Sequence, residues 1–131
     1  MSDELRVKSN EEKHTEGRGH YKLEAWKRAR ELVLSVYKLT QTFPKEEMFG
    51  LAAQLRRAAV SVPSNIAEGA AREGDREFAQ FLNITRGSLS ELETQLLIAT
   101  DLGYIKADDP VFELVDLVSR LLTGLRKSIQ R

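Results

Sequence analysis

The chain has 131 residues, 41% of them apolar and 31% charged, with 20 basic and 20 acidic side chains and no cysteine. A chain of this size and apolar content can form one globular domain that removes roughly two thirds of its unfolded surface from water, so neither a disulfide nor a structural metal is needed to hold it together. The missing cysteines exclude thiolate zinc sites, iron–sulfur clusters and a catalytic thiol, and the balanced charge is a poor overall footprint for a nucleic-acid binder.

Residues 1–20 are polar, lack apolar periodicity and close on Gly17 and Gly19, which predicts a flexible tail ahead of a single domain over 21–131. The stretch has no apolar core of signal-peptide type. No later segment approaches the ~18 uninterrupted apolar residues of a membrane span, so a cytoplasmic protein without membrane contact is expected.

From Tyr21 the pattern becomes helical. Ala25, Ala29, Leu32, Val36, Leu39 and Phe43 recur at spacings of three and four, laying one apolar stripe along a first helix that Pro44 stops. A second helix is predicted to begin near Lys45 to Glu47, with Met48, Leu51, Leu55, Ala58, Val62 and Ile66 on one face, and to end near Gly69 to Gly74. Pro63 lies inside it. Either one long helix bends at the proline, or the helix stops at Ser61 or Val62 and restarts with Ser64 as its N-cap. Asp75 is the expected N-cap of a third helix with Phe78, Leu82, Thr85, Leu89, Leu92, Leu96 and Ala99 as its stripe and Gly103 as its stop. Asp108 or Asp109 should cap a fourth, with Pro110 in its first turn and Val111, Leu114, Val118, Leu121, Leu125 and Ile129 facing inward. Four helices with short links, and no strand-type alternation, predict an all-α antiparallel up-and-down four-helix bundle.

Apolar residues off these stripes carry more information. On the first helix Leu23, Trp26, Arg30, Val33 and Tyr37 form a second seam about 120° round from the first. On the third, Phe81, Ile84, Ser88, Glu91, Gln95, Ile98 and Leu102 form another, apolar at its ends and polar in its middle. Such helices are either the more deeply buried members of their own bundle or the contact surface of a homo-oligomer. Ser88, Glu91 and Gln95 need partners if buried, and Arg56, Asn65 or Arg30 are the candidates.

Charge is unevenly spread. Residues 18–58 hold nine basic and four acidic side chains, net +5, whereas 59–131 hold eight and eleven, net −3. Lys22, Lys27, Arg28 and Lys38, joined by Arg56 and Arg57, are therefore candidate phosphate contacts. Glu24 with Arg28, and Lys27 with Glu31, are alternatively i,i+4 pairs on a solvated face. Catalytic signals are lacking: there is no Glu-x-x-His pair, phosphate-binding loop or nucleophile elbow, and the two histidines, His14 and His20, lie in or beside the tail. A binding or assembly protein is expected, without catalytic residues, cofactor or metal.

The run Gln54 to Leu96 contains Val62-Pro63-Ser64-Asn65-Ile66-Ala67-Glu68-Gly69 and then Gly87-Ser88-Leu89, Glu91 and Glu93-Thr94-Gln95-Leu96; Leu23, Trp26, Phe43-Pro44 and Phe49-Gly50 precede it. Over about residues 20–128 these motifs resemble the bundle proteins encoded in intervening sequences of bacterial 23S ribosomal RNA genes. The resemblance implies an antiparallel four-helix bundle assembled into a barrel-like homopentamer. It extends to the accessory protein of diversity-generating retroelements, which implies binding of RNA or a ribonucleoprotein through a basic surface, and a reverse transcriptase as a possible kind of partner. The alternative is a protein–protein adaptor or structural oligomer with no nucleic-acid role. The family motif assigns no catalytic residue; Asn65, Glu68, Ser88, Glu91 and Gln95 are expected as structural polar contacts between the second and third helices, with Gly87 allowing their close approach.

Overall fold

The computed structural model describes residue 20 and residues 23–129; the expected tail and Lys22 lie outside these, residue 20 apart. Among the described residues there are four α-helices and no strand: α1 (Glu24–Thr40), α2 (Leu51–Ala70), α3 (Asp75–Asp101) and α4 (Val111–Ile129), with a 3-10 turn at Lys45–Glu47 between α1 and α2. Each helix packs on two neighbours, α1 and α3 both lying against α2 and α4. Tyr104, in the α3–α4 link, meets the α1–α2 link: its ring is 5.2 Å from that of Phe43, and its hydroxyl donates to Glu47 Oε2 at 3.1 Å. Both links therefore sit at one end of the molecule, and consecutive helices are antiparallel.

The apolar stripes become the core. Ala25, Ala29, Leu32 and Val36 of α1, Leu55, Ala58, Val62 and Ile66 of α2, and Leu82, Leu89, Leu92, Leu96 and Ala99 of α3 are buried in one cluster. Each fully buried Leu, Ile or Val side chain contributes about 1.5–3 kcal/mol relative to exposure. Small side chains on α1 and α2 let those helices approach, while leucines fill the middle.

Several boundaries differ from expectation. Lys45–Glu47 form only a 3-10 turn, because Gly50 takes a non-helical conformation (φ −104°, ψ −113°) and α2 starts after it. Met48 therefore falls out of phase with the α2 stripe and is 55% exposed rather than in the core. Helix α2 runs unbroken through Pro63, so Ser64 is not a cap. Side chains bond back to carbonyls in the surrounding turns: Ser61 Oγ to Ala58 O (2.7 Å), Ser64 Oγ to Val60 O (2.8 Å) and Asn65 Nδ2 to Ser61 O (2.8 Å). These bonds supply extra donors where the proline has removed one from the helical ladder.

Helix α3 begins at Asp75 itself, with Gly74 at the N-cap in a left-handed conformation (φ +95°) that a side chain would disfavour. Gly103, at φ +81°, lies just past the Leu102 C-cap and terminates α3 as expected. Asp109 is the cap of the fourth helix, accepting from Val111 N–H at 2.9 Å. The α4 core face is Val111, Val115, Val118 and Leu122, while Leu114, Leu121, Leu125 and Ile129 are half-buried beside it. A three-four spacing fits two adjacent rows of a helix nearly equally well, which is why the wrong row was favoured at alternate positions.

Candidate functional site

The two secondary seams lie on one side of the bundle, on either flank of α2. On the α1 flank, Leu23, Trp26 and Val33 are half-buried against the core, Arg30 is exposed with its guanidinium 4.9 Å from the Trp26 ring, and Tyr37 is exposed beneath Arg56. The bundle thus absorbs part of this seam itself. Further out, Val33, Leu34, Val60 and Pro63 line an apolar groove of about 430 Å³ whose rim carries Lys27, Arg30 and Glu31. Leu34 is 71% exposed. It lies off both stripes, so periodicity alone did not single it out; a leucine on an otherwise charged face was the available signal.

The other flank is polar in the middle. Gln54, Arg57, Ala58 and Ser61 of α2 face Ser88 and Glu91 of α3 across an open cleft of about 450 Å³. Gln95 is buried, and its Nε2 donates to Glu91 Oε1 (3.2 Å) and to Gln54 Oε1 (3.4 Å), leaving its own Oε1 buried without a partner. Turning the amide over would set that oxygen against the Glu91 carboxylate, so the donor must face this way. Of the five expected α2–α3 contacts, only Gln95 makes a hydrogen bond between the helices, and its partner is Gln54 rather than Arg56, Asn65 or Arg30. Asn65 bonds within α2, Glu91 within α3, Glu68 is exposed, and Ser88 lines the cleft. Ile84, Ile98 and Leu102, the apolar ends of this seam, are all exposed.

Close approach of α2 and α3 occurs at Gly69 and not at Gly87. A Cβ on Gly69 would meet Phe81 Cβ at 2.6 Å and Phe78 Cδ1 at 2.9 Å, whereas one on Gly87 would meet nothing within 4 Å. The glycine that the helix contact demands is the one closing the Pro63 motif.

The candidate phosphate contacts separate into two groups. Lys27 pairs with Glu24 (3.4 Å), and Arg28 with Glu31 (3.0 Å) and Glu24 (3.8 Å), on the solvated face of α1. Such exposed pairs are worth about 0.2–1 kcal/mol each. Arg56 turns toward α1: its Nε donates to Thr40 Oγ1 at 2.9 Å and its guanidinium lies 4.8 Å from the Tyr37 ring, while the Thr40 hydroxyl donates back to Val36 O. Lys38 and Arg57 are exposed and form no ion pair among the described residues. The five candidates among the described residues therefore do not form one free basic patch.

At the linked end, Phe49 stands 92% exposed in the turn before Gly50. No helix among the described residues is long and apolar enough to cross a membrane.

A comparison with curated proteins gives no match. The sequence profile of the 23S rRNA-intervening sequence protein family matches residues 21–124, spanning α1, α2, α3, their links and most of α4. The chain belongs to the 23S rRNA-intervening sequence protein family.

Proposed function

We propose that this protein is a non-enzymatic, self-assembling helical scaffold whose subunits meet through the side of the bundle centred on α2. The observation that carries this reading is the placement of large apolar side chains in water: Leu34 and Val60 on one flank of α2, Ile84, Ile98 and Leu102 on the other, and Phe49 at the end. Large apolar side chains left in water suit an interaction site, and a ring of identical subunits uses two different patches on each copy. The barrel-like homopentamer implied by the sequence resemblance is the expected assembly. In it the half-buried Leu23, Trp26 and Val33 would stiffen the contact from behind.

RNA binding is a second reading, favoured by Lys38 and Arg57, which have no carboxylate partner among the described residues. Assembly would repeat these two charges around a ring, so that a neutral chain presents several phosphate contacts at once. The two readings separate in sedimentation with mixed bacterial RNA at about 50 and about 200 mM salt. Co-sedimentation that falls steeply with salt supports RNA contact. An assembled protein that ignores RNA at both concentrations leaves a protein-binding or structural scaffold, and a monomer at all concentrations overturns the proposal.

A further inference from the structure

Among the described residues the two most exposed large apolar side chains, Phe49 at 92% and Leu34 at 71%, are on different parts of the chain and have complementary surroundings. Phe49 projects from a tight turn at the linked end, whereas Leu34 belongs to an apolar groove with Val33, Val60 and Pro63. We infer that the Phe49 turn of one copy inserts into the α1–α2 groove of the next.

Three observations favour a second copy as the occupant. The groove of about 430 Å³ has room for a benzyl side chain and is floored by aliphatic and proline carbons. Its own Phe49 cannot reach it: Val60 lies nine residues into α2 from Leu51, roughly 14 Å along the axis at 1.5 Å per residue. Charge also matches. The turn around Lys45, Glu46 and Glu47 is net −1, and the groove rim of Lys27, Arg30 and Glu31 is net +1. Because knob and groove are different surfaces, the contact is heterologous; each copy offers one of each, and such contacts close into rings when the rotation allows.

This inference rests on the assembly reading above, so its test must distinguish the two. The chain has no cysteine, and cysteines introduced as Lys27→Cys and Glu46→Cys mark the groove rim and the knob without touching Phe49 or the groove floor. Within one copy Lys27 is in the first turn of α1 and Glu46 lies beyond its C-terminal end, roughly 20 Å away along the helix axis and too far for a short bismaleimide. Mixing the two single variants and adding that cross-linker should give a linked dimer whose joined peptides contain positions 27 and 46. Phe49→Ala should weaken self-association on the order of 30-fold, as expected for a buried aromatic anchor, with helix content unchanged because the side chain is exposed in its own copy. An assembly that forms no 27–46 link, or that Phe49→Ala leaves equally tight, overturns the knob-in-groove contact while the scaffold reading stands. A native protein that sediments as a monomer overturns both.

Discussion

Gly69 lets α2 lie close against Phe81 of α3, since a Cβ on the glycine would sit 2.6 Å from the phenylalanine Cβ. The same substitution should therefore have opposite effects at two helical glycines. Gly69→Ala must push α3 away and is expected to cost about 1–3 kcal/mol. Gly87→Ala meets open space and should gain up to about 1 kcal/mol of helix propensity. Urea unfolding at fixed protein concentration measures both; equal effects would contradict the packing described for Gly69. Gly87→Leu, by the same reasoning, should leave folding intact and disturb only a contact with another copy.

Gln95 places an unmatched amide oxygen in the α2–α3 interface. Gln95→Leu removes that atom, and Gln54, being exposed, can return its own amide to water. The substitution is expected to be neutral or to stabilise by about 1 kcal/mol, whereas a well-matched buried amide would lose about 1–3 kcal/mol on such a change. A clear loss in chemical denaturation would mean that Gln95 Oε1 is satisfied in the assembled protein.

Arg56 and Arg57 adjoin in sequence but differ in role. Arg56→Ala should lower stability by about 1–2 kcal/mol, because it removes the Thr40 hydrogen bond and the Tyr37 stack that join α1 to α2. Arg57→Ala should leave the denaturation midpoint unchanged and, if RNA is bound, reduce the salt slope of binding by about one. Thermal melts and binding titrations at several salt concentrations report the two effects separately.

The Tyr104 phenol is held above its ordinary value of 10.0, first by its hydrogen bond to Glu47, then by desolvation and by the negative charges of Glu47 and Glu46. A group raised on folding stabilises the protein below its unfolded value and loses that contribution as pH climbs through the folded one. The contribution should be complete at neutral pH and disappear above pH 10. Ultraviolet titration of the phenolate should show Glu47→Gln bringing Tyr104 down toward its ordinary value; an unchanged titration would contradict the Tyr104–Glu47 bond.

How far these features could be read from the sequence depends on the range of the interaction that fixes each. The bundle was legible because the apolar stripes of α1, α2 and α3 repeat at helical spacing, and burial follows that spacing at Leu32, Leu55 and Leu92. The Met48 position was not, because it depends on Gly50 adopting a non-helical conformation one step before α2. Of the two α1 pairs expected from the sequence, Glu24 with Arg28 forms, whereas Lys27 turns to Glu24 and leaves Glu31 to Arg28. Long-range choices stayed hidden: nothing local tells Gln95 to choose Gln54, or Arg56 to turn toward Thr40, 16 residues away. Glycine roles were exchanged for the same reason, since only the partner helix reveals whether Gly69 or Gly87 is crowded. The exposed knob and groove residues, Phe49, Leu34 and Val60, lie off the main stripes and emerge only once the core is known.

In the proposed assembly the apolar surface around α2 is covered by further copies of the same chain. Analytical ultracentrifugation of the purified protein over a wide concentration range, without RNA, tests it most directly. One closed species several times the 14.8 kDa chain mass is expected, five times for the expected pentamer, with no continuing growth at high concentration. A species that stays at 14.8 kDa throughout would contradict it.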